Sequence, residues 1–255
     1  MKITDLIAQP GTAFTFEVLP PLKGYGIDGL RATIDRLREF EPKYINITNH
    51  RSEYVYGPAP FPLPAGSGEL IVRQRVRRRP GSIAIAAALQ REYGIPLVPH
   101  LLCSGFSRED TEYQLIDMQI LGIENLLLLR GDKAKEDPYF RPTEDAHAHT
   151  TDLQQQVNRF NEGFFDDGSA IRQPGAPFHY GVACYPEKHE EAPNLEQDIR
   201  YFKQKVDAGA DYGVTQLFYD NEKFFSFVAR CREMGISVPI IPGIKPLAKL
   251  SQITV

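Results

Sequence analysis

Cysteine is scarce: the 255 residues hold three, Cys103, Cys184 and Cys231, widely spaced and without a CxxC pair. Such a set supports neither a disulfide framework nor a zinc knuckle, and it fits a reducing compartment. No apolar run approaches the ~20 residues that a membrane helix needs. A basic excess is missing too. The 29 Lys and Arg stand against 33 Asp and Glu, a formal charge of −4, which argues against a dedicated binder of nucleic acid or anionic membrane. The opening stretch, Met1–Pro10, carries one Lys and is broken by polar residues, so no secretory signal is expected there. The expectation is a cytoplasmic protein with neither nucleic acid nor membrane as partner. Charged residues at 24% and hydrophobic ones at 42% are globular proportions, and the length can bury a core without covalent staples. One domain over 1–255 is expected.

What the chain does have is alternation. Short β-rich apolar segments occur at Phe14–Val18, Tyr44–Thr48, Pro96–Leu101, Asn125–Leu129, His179–Ala183, Tyr212–Phe218 and Val238–Gly243. Between them the period is helical, over Ile27–Phe40, Ser82–Tyr93, Ser107–Leu121, Thr151–Glu162, Asn194–Ala208 and Asn221–Met234. Ser107 opens its helix as an N-cap with Glu109 and Asp110 in the first turn, and Gly122 stops it. Nearly continuous apolar strands in strict alternation with helices define an α/β fold with a covered parallel sheet. Both an open doubly wound sheet and a closed (β/α)8 TIM barrel fit that pattern. After the first strand, however, the chain reads Glu17-Val-Leu-Pro-Pro-Leu-Lys-Gly24, a poor match to the GxGxxG of a dinucleotide fold. Polar residues instead stand at or just past the strand ends: Glu17, Thr48, His100, Arg130 with Asp132, Tyr185 and Gln216. A barrel opens all those ends onto one face, where barrel active sites lie, so the barrel is favoured.

The count of strands is seven, not eight. Either a strand hides in the Pro- and Gly-rich Tyr54–Ile71, which reads as loop, or the C-terminal βα unit is absent; the second is favoured. Lys249–Val255 has room only to begin a helix.

Several of these residues have chemical potential and an ordinary alternative. Glu17, inside Phe14-Thr-Phe-Glu-Val18, is either a desolvated carboxyl with a raised pKa, suited to giving a proton near neutrality, or a surface-facing strand position. Arg130-Gly-Asp132, after four leucines, is either a rim ion pair or a polar group awaiting a ligand. His100 and Cys103 invite a metal or thiol reading, but no second His or Cys lies at ligand spacing, and Cys103 is read as a packed residue. His147 and His149 are read as part of a solvated acidic loop. The basic run Arg73–Arg79 is read as a solvated helix entry or subunit rim. Lys205 has a dipole-stabilising role open to it, whereas Gln216, in an apolar strand, is read as a buried amide whose two ends need partners.

Taken in order, Phe16-Glu-Val-Leu-Pro-Pro21, Pro99-His-Leu-Leu-Cys103, Leu129-Arg-Gly-Asp132 and Ala183-Cys-Tyr-Pro-Glu187 resemble motifs of the methylenetetrahydrofolate reductase catalytic domain. Lys205-Val-Asp-Ala-Gly-Ala210, Thr215-Gln-Leu-Phe-Tyr-Asp220 and Ile240-Ile-Pro-Gly-Ile244 continue the match, so that it runs from Phe14 to Leu247. The resemblance implies a TIM barrel that binds FAD at its C-terminal face, with NADH or NADPH as co-substrate and a folate as substrate. It implies Glu17 as the general acid and Asp132 as a carboxylate beside the flavin. Thr48, His100, Arg130, Gly131, Asp132, Thr150, Tyr185, His189, Asp198 and Lys205 are implied to line the FAD site, with Arg130 and Lys205 toward its pyrophosphate or ribityl oxygens. Gln216 is implied to contact folate, and Leu250 takes the place of a Phe that stacks on substrate. The family's last strand and final helices have no counterpart in the chain, and a homo-oligomer is expected. Two further readings accompany this one: an inactive or assembly-dependent barrel fragment, and another flavin barrel such as a proline dehydrogenase-like enzyme.

Overall fold

Side-chain parity along the strands decides which residues see helices and which see the barrel axis. A computed structural model describes residues 1–59, 70–133 and 139–252. The chain begins with α1 (Ile3–Ile7), β1 (Thr15–Val18), α2 (Asp28–Leu37), a 3-10 turn at Arg38–Phe40 and β2 (Tyr44–Ile47). A hairpin follows, β3 (Glu53–Pro58) and β4 (Ile71–Val76), then α3 (Ser82–Tyr93), β5 (Leu97–Leu102) and α4 (Arg108–Ile120). The remainder is β6 (Asn125–Leu129), α5 (Thr150–Asn161), β7 (His179–Cys184), α6 (Leu195–Asp207), β8 (Tyr212–Thr215), α7 (Asn221–Glu233), β9 (Ile240–Ile241) and a 3-10 turn at Leu250–Gln252.

Seven strands form one parallel sheet in the order β1-β2-β5-β6-β7-β8-β9. It curls into a half-barrel, with β1 and β9 at its two edges. The outward residues, among them Val18, Ile45, Ile47, Leu101, Leu126, Leu128 and Val182, pack under the helices as the main core. The inward residues Tyr44, Val98, Leu127 and Tyr212 form a second, smaller core with Ile3 and Leu6 of α1. Gly181 makes room for it: a Cβ there would meet the Tyr212 ring at 2.3 Å. Helix α1 closes the floor of the half-barrel, at the amino ends of the strands. Its Ile3 N–H donates to Asn125 Oδ1 (3.2 Å), Asn125 Nδ2 donates to the Met1 carbonyl (2.9 Å), and the terminal ammonium reaches Glu124 (2.7 Å).

The strands and helices read from periodicity are all present, with ends shifted by at most three residues. Helix α4 has the expected cap: Asp110 N–H donates to Ser107 Oγ (3.0 Å) and Ser107 N–H to Asp110 Oδ2 (2.8 Å). Three readings change. The stretch read as loop, Tyr54–Ile71, contributes to both strands of the β3–β4 hairpin, whose sheet is separate from the barrel; its residues 60–69 lie outside those described. The basic run Arg73–Arg79 is not a helix entry, since its first part is β4. Beyond the strand, Arg77 lies over the Phe106 ring (5.1 Å) and Arg79 donates to the Pro20 carbonyl. Finally, Gln216 lies just past the end of β8, which stops at Thr215.

Candidate active site at the carboxyl ends of the strands

Because the strands are parallel, the polar residues at their carboxyl ends rise to one face, and there they form two groups. The first stands on β1, β2 and β5. Glu17 alternates with Phe16 and Val18, which face the helices, so its side chain belongs to the inner face. Across the register it neighbours Asn46, and the inner row continues upward to Thr48 and, on β5, to His100. His100 is buried, and its Nε2 stands 3.6 Å from Glu17 Oε2. Burial, with His50 acting in the same direction, holds the His100 pKa down to about 3, so the ring is neutral at physiological pH. Glu17 shows features of both alternatives read from the sequence. As a residue of an edge strand it leaves 55% of its side-chain surface open. Its carboxyl is nonetheless recessed enough that desolvation lifts its pKa above the usual glutamate value. Asn46 Oδ1, Thr48 Oγ1 and His100 Nε2 are buried without a hydrogen-bond partner, which is uncommon for buried polar atoms.

The second group stands on the loops after β6 and β7 and on α6. Arg130 is clamped by both oxygens of Glu191 (2.6 and 2.8 Å) and lies over the Phe140 ring (4.5 Å). Gly131 has φ +82° and approaches Ser104 so closely that a Cβ would sit 2.9 Å from the serine Cβ. Asp132 is exposed, and its carbonyl accepts from Ser104 Oγ (3.3 Å). Tyr185 and His189 meet edge to face at 4.8 Å, and burial pushes the Tyr185 phenol up to about 12. Asp198, buried on α6, accepts the His189 N–H (2.8 Å). Lys205, in the last turn of α6, is partly buried. Its ammonium turns in on the Ala183 carbonyl, 5.9 Å from the Tyr185 ring, and desolvation holds its pKa below the usual lysine value. Thr150 is the first residue of α5, partly buried beside His149.

Two expected site residues stand apart. Gln216 is not a buried amide: it is exposed, with Oε1 accepting from the Leu217 N–H (3.1 Å). Leu250 is 79% exposed in the last 3-10 turn. His147, read as solvated, is buried and paired through Nε2 with Gln156 Oε1 (2.6 Å). Among the described residues no cluster of His, Cys, Asp and Glu could hold a metal ion, and no helix is long and apolar enough to cross a membrane. Glu191 and Asn46 are site residues that the sequence reading did not single out. Asn46 had a legible signal, a polar residue at an inward position of the apolar segment Tyr44–Thr48. Glu191 had none, because its partner Arg130 lies 61 residues away.

Beside the mouth, Glu17 also borders a groove of about 740 Å³ between the end of β1, the Pro20–Tyr25 loop and the first turns of α2, with Arg79 on its wall.

A parallel half-barrel with an acid, a neutral histidine and orphaned polar atoms at the carboxyl ends of its strands places the molecule among TIM-barrel-type proteins. A solved structure of a Clostridium thermocellum protein described as binding two copies of 5-methyl-5,6,7,8-tetrahydrofolic acid aligns with a TM-score of 0.55 at 13% identity. The alignment covers 93% of this chain and 68% of that one, and a likeness at that identity speaks for the fold alone. The sequence profile described as methylenetetrahydrofolate reductase matches residues 2–255. Methylenetetrahydrofolate reductase (NADH) 1 of Arabidopsis thaliana is 33% identical over 97% of this chain and 37% of its own length. The 5,10-methylenetetrahydrofolate reductase of Pectobacterium carotovorum is 31% identical over 94% of this chain and 65% of its own length. The chain belongs to the methylenetetrahydrofolate reductase family. It spans from about a third to two thirds of the length of these relatives.

Proposed function

We propose that the protein reduces 5,10-methylenetetrahydrofolate to 5-methyltetrahydrofolate with electrons from NADH or NADPH passed through bound FAD. Family membership supports the reaction, and the name of the Arabidopsis relative includes NADH. The folate named in the description of the Clostridium protein accords with a folate substrate on this fold. The observation that carries the reading is Glu17, a carboxyl of raised pKa at the mouth beside a neutral histidine.

The residues present fit a flavin ring. Asn46 Oδ1 and Thr48 Oγ1 are buried polar atoms in need of partners, and a ring system rich in N–H and C=O groups supplies them. Thr48, His100, Gly131, Asp132, Tyr185 and His189 would border the ring system, with Thr150, Asp198 and Lys205 around the rest of the cofactor. Arg130, held through Nη1 and Nη2 by Glu191, would border the cofactor beside them. Bound FAD would supply a two-electron carrier that takes hydride from the nicotinamide and returns it to the one-carbon unit.

The protein's own part is proton placement and charge. Opening the five-membered ring of the folate needs a proton on the departing nitrogen, which leaves a 5-iminium cation. Glu17 is the donor: the nitrogen lone pair takes the proton and the O–H electrons stay on the carboxylate. Asp132 contributes a negative charge that favours the cation. Gln216, exposed at the rim, would contact the pterin as it enters.

Absorption spectra of the purified protein test this. We expect a yellow protein bleached by NADH or NADPH under anaerobic conditions and recoloured by methylenetetrahydrofolate. A colourless chain that takes up no FAD on reconstitution overturns the reading. It would favour the second one, a barrel fragment that acts only within an assembly, which the open edges of β1 and β9 support. A proline dehydrogenase-like enzyme is disfavoured by the family assignment.

A further inference from the structure

His100 is buried to 5% exposure, and its Nε2 has no hydrogen-bond partner although the Glu17 carboxyl lies 3.6 Å away. We propose that His100 is the positioning residue for the Glu17 proton, its neutral imidazole offering Nε2 as acceptor to the protonated carboxyl and so fixing which oxygen carries the hydrogen. The inference rests on the reading above for the reaction in which that proton is used, and on geometry alone for the contact.

Three arrangements are available to such a pair. An imidazolium facing a carboxylate requires a charge on a ring whose burial opposes it, and with its pKa held to about 3 the ring does not take that charge near neutrality. An Nε2–H facing the carboxylate would stabilise the ionised form and pull the Glu17 pKa down, whereas desolvation pushes it up. An O–H of Glu17 donating to a bare Nε2 leaves both groups neutral and satisfies the buried nitrogen. The 3.6 Å separation closes to a hydrogen bond with a small side-chain rotation. Titratable groups near the pair include His50, which acts on His100 from beyond β2, and, along the groove on the other side of Glu17, Asp28 of α2 and Arg79 beyond β4. When the proton leaves for the substrate nitrogen, the carboxylate keeps the O–H electron pair and His100 does not change charge. Its role is aim, not donation.

The test is a pH titration of the whole protein labelled with 15N-histidine and 13C-carboxyl glutamate, followed by NMR. We expect His100 to be the Nδ1–H tautomer, with a pyridine-type Nε2 whose shift moves at the same midpoint as the Glu17 carboxyl, and expect that movement to vanish in Glu17→Gln. In His100→Asn, whose amide ends where Nδ1 stood, the Glu17 midpoint should fall by about one pH unit, the worth of one hydrogen bond to the neutral form. The high-pH limb of folate reduction should fall with it. A protonated, pyrrole-type Nε2, separate midpoints for the two groups, or an unmoved Glu17 midpoint in His100→Asn each overturn the proposal. If His100→Asn does not fold, the wild-type titration decides by itself. Wild type with a shared midpoint and no folate reduction sinks the functional reading alone; active wild type with independent midpoints sinks this inference alone.

Discussion

Glu17→Gln keeps the shape and polarity of position 17 and removes the transferable proton. Loss of a general acid lowers a rate by about 10²- to 10⁴-fold, so folate reduction should fall by that factor while flavin reduction by NAD(P)H holds; stopped-flow of the two half-reactions separates them. His100 carries a consequence for stability as well. Its pKa is 6.5 when free and about 3 in the fold, so between those values the unfolded chain binds the extra proton. Stability from this residue is therefore complete above pH 6.5 and drains away as pH falls toward 3. Chemical denaturation across that window should show a shallower acid decline in His100→Gln than in wild type. At this scale the sequence was informative about identity and poor about surroundings. Glu17 and His100 announce themselves as polar residues in apolar strands. The salt bridge that occupies Arg130 and the solvent that reaches Gln216 depend on chain segments folded in from elsewhere.

The elements were legible where one physical signal dominated. The central barrel strands β2, β5 and β6 are largely apolar because both of their faces are covered, and α4 is marked at its start by a cap that needs only Ser107 and Asp110. The missed elements lack such a signal. Helix α1 has five residues, too short for a period, and exists through its contacts with the barrel floor. Among the described residues β3 and β4 pair only with each other, and the arginines in the sequence of β4 suggest solvent rather than a sheet. Gly181 shows how strictly neighbouring strands are matched. Gly181→Ala would thrust a methyl into the Tyr212 ring, and overpacking of this kind costs about 1–3 kcal/mol. A lowered denaturation midpoint with an unchanged slope is the expected outcome in urea titrations.

On the scale of the whole molecule, no strand among the described residues pairs with the outer edge of β1 or β9. Large apolar side chains flank them: Phe14, Leu19, Leu22 and Tyr25 near β1, Ile244 and Leu247 beyond β9. Exposed parallel edges with apolar flanks are prone to association. The chain should therefore bind apolar dyes and self-associate with rising concentration in sedimentation experiments. Appending a strand–helix unit designed to pair with both edges should suppress both behaviours, and equal dye binding with and without it would count against an open seam. The floor of the half-barrel has a different consequence, one of timing. Helix α1 is made before the other side chains of that inner core, the last of its fully buried members being Tyr212. Ile3 and Leu6 must then wait, greasy and unseated, until those strands are made. During that interval they are a natural handle for chaperones, and their docking reports that the rest of the cylinder has been built.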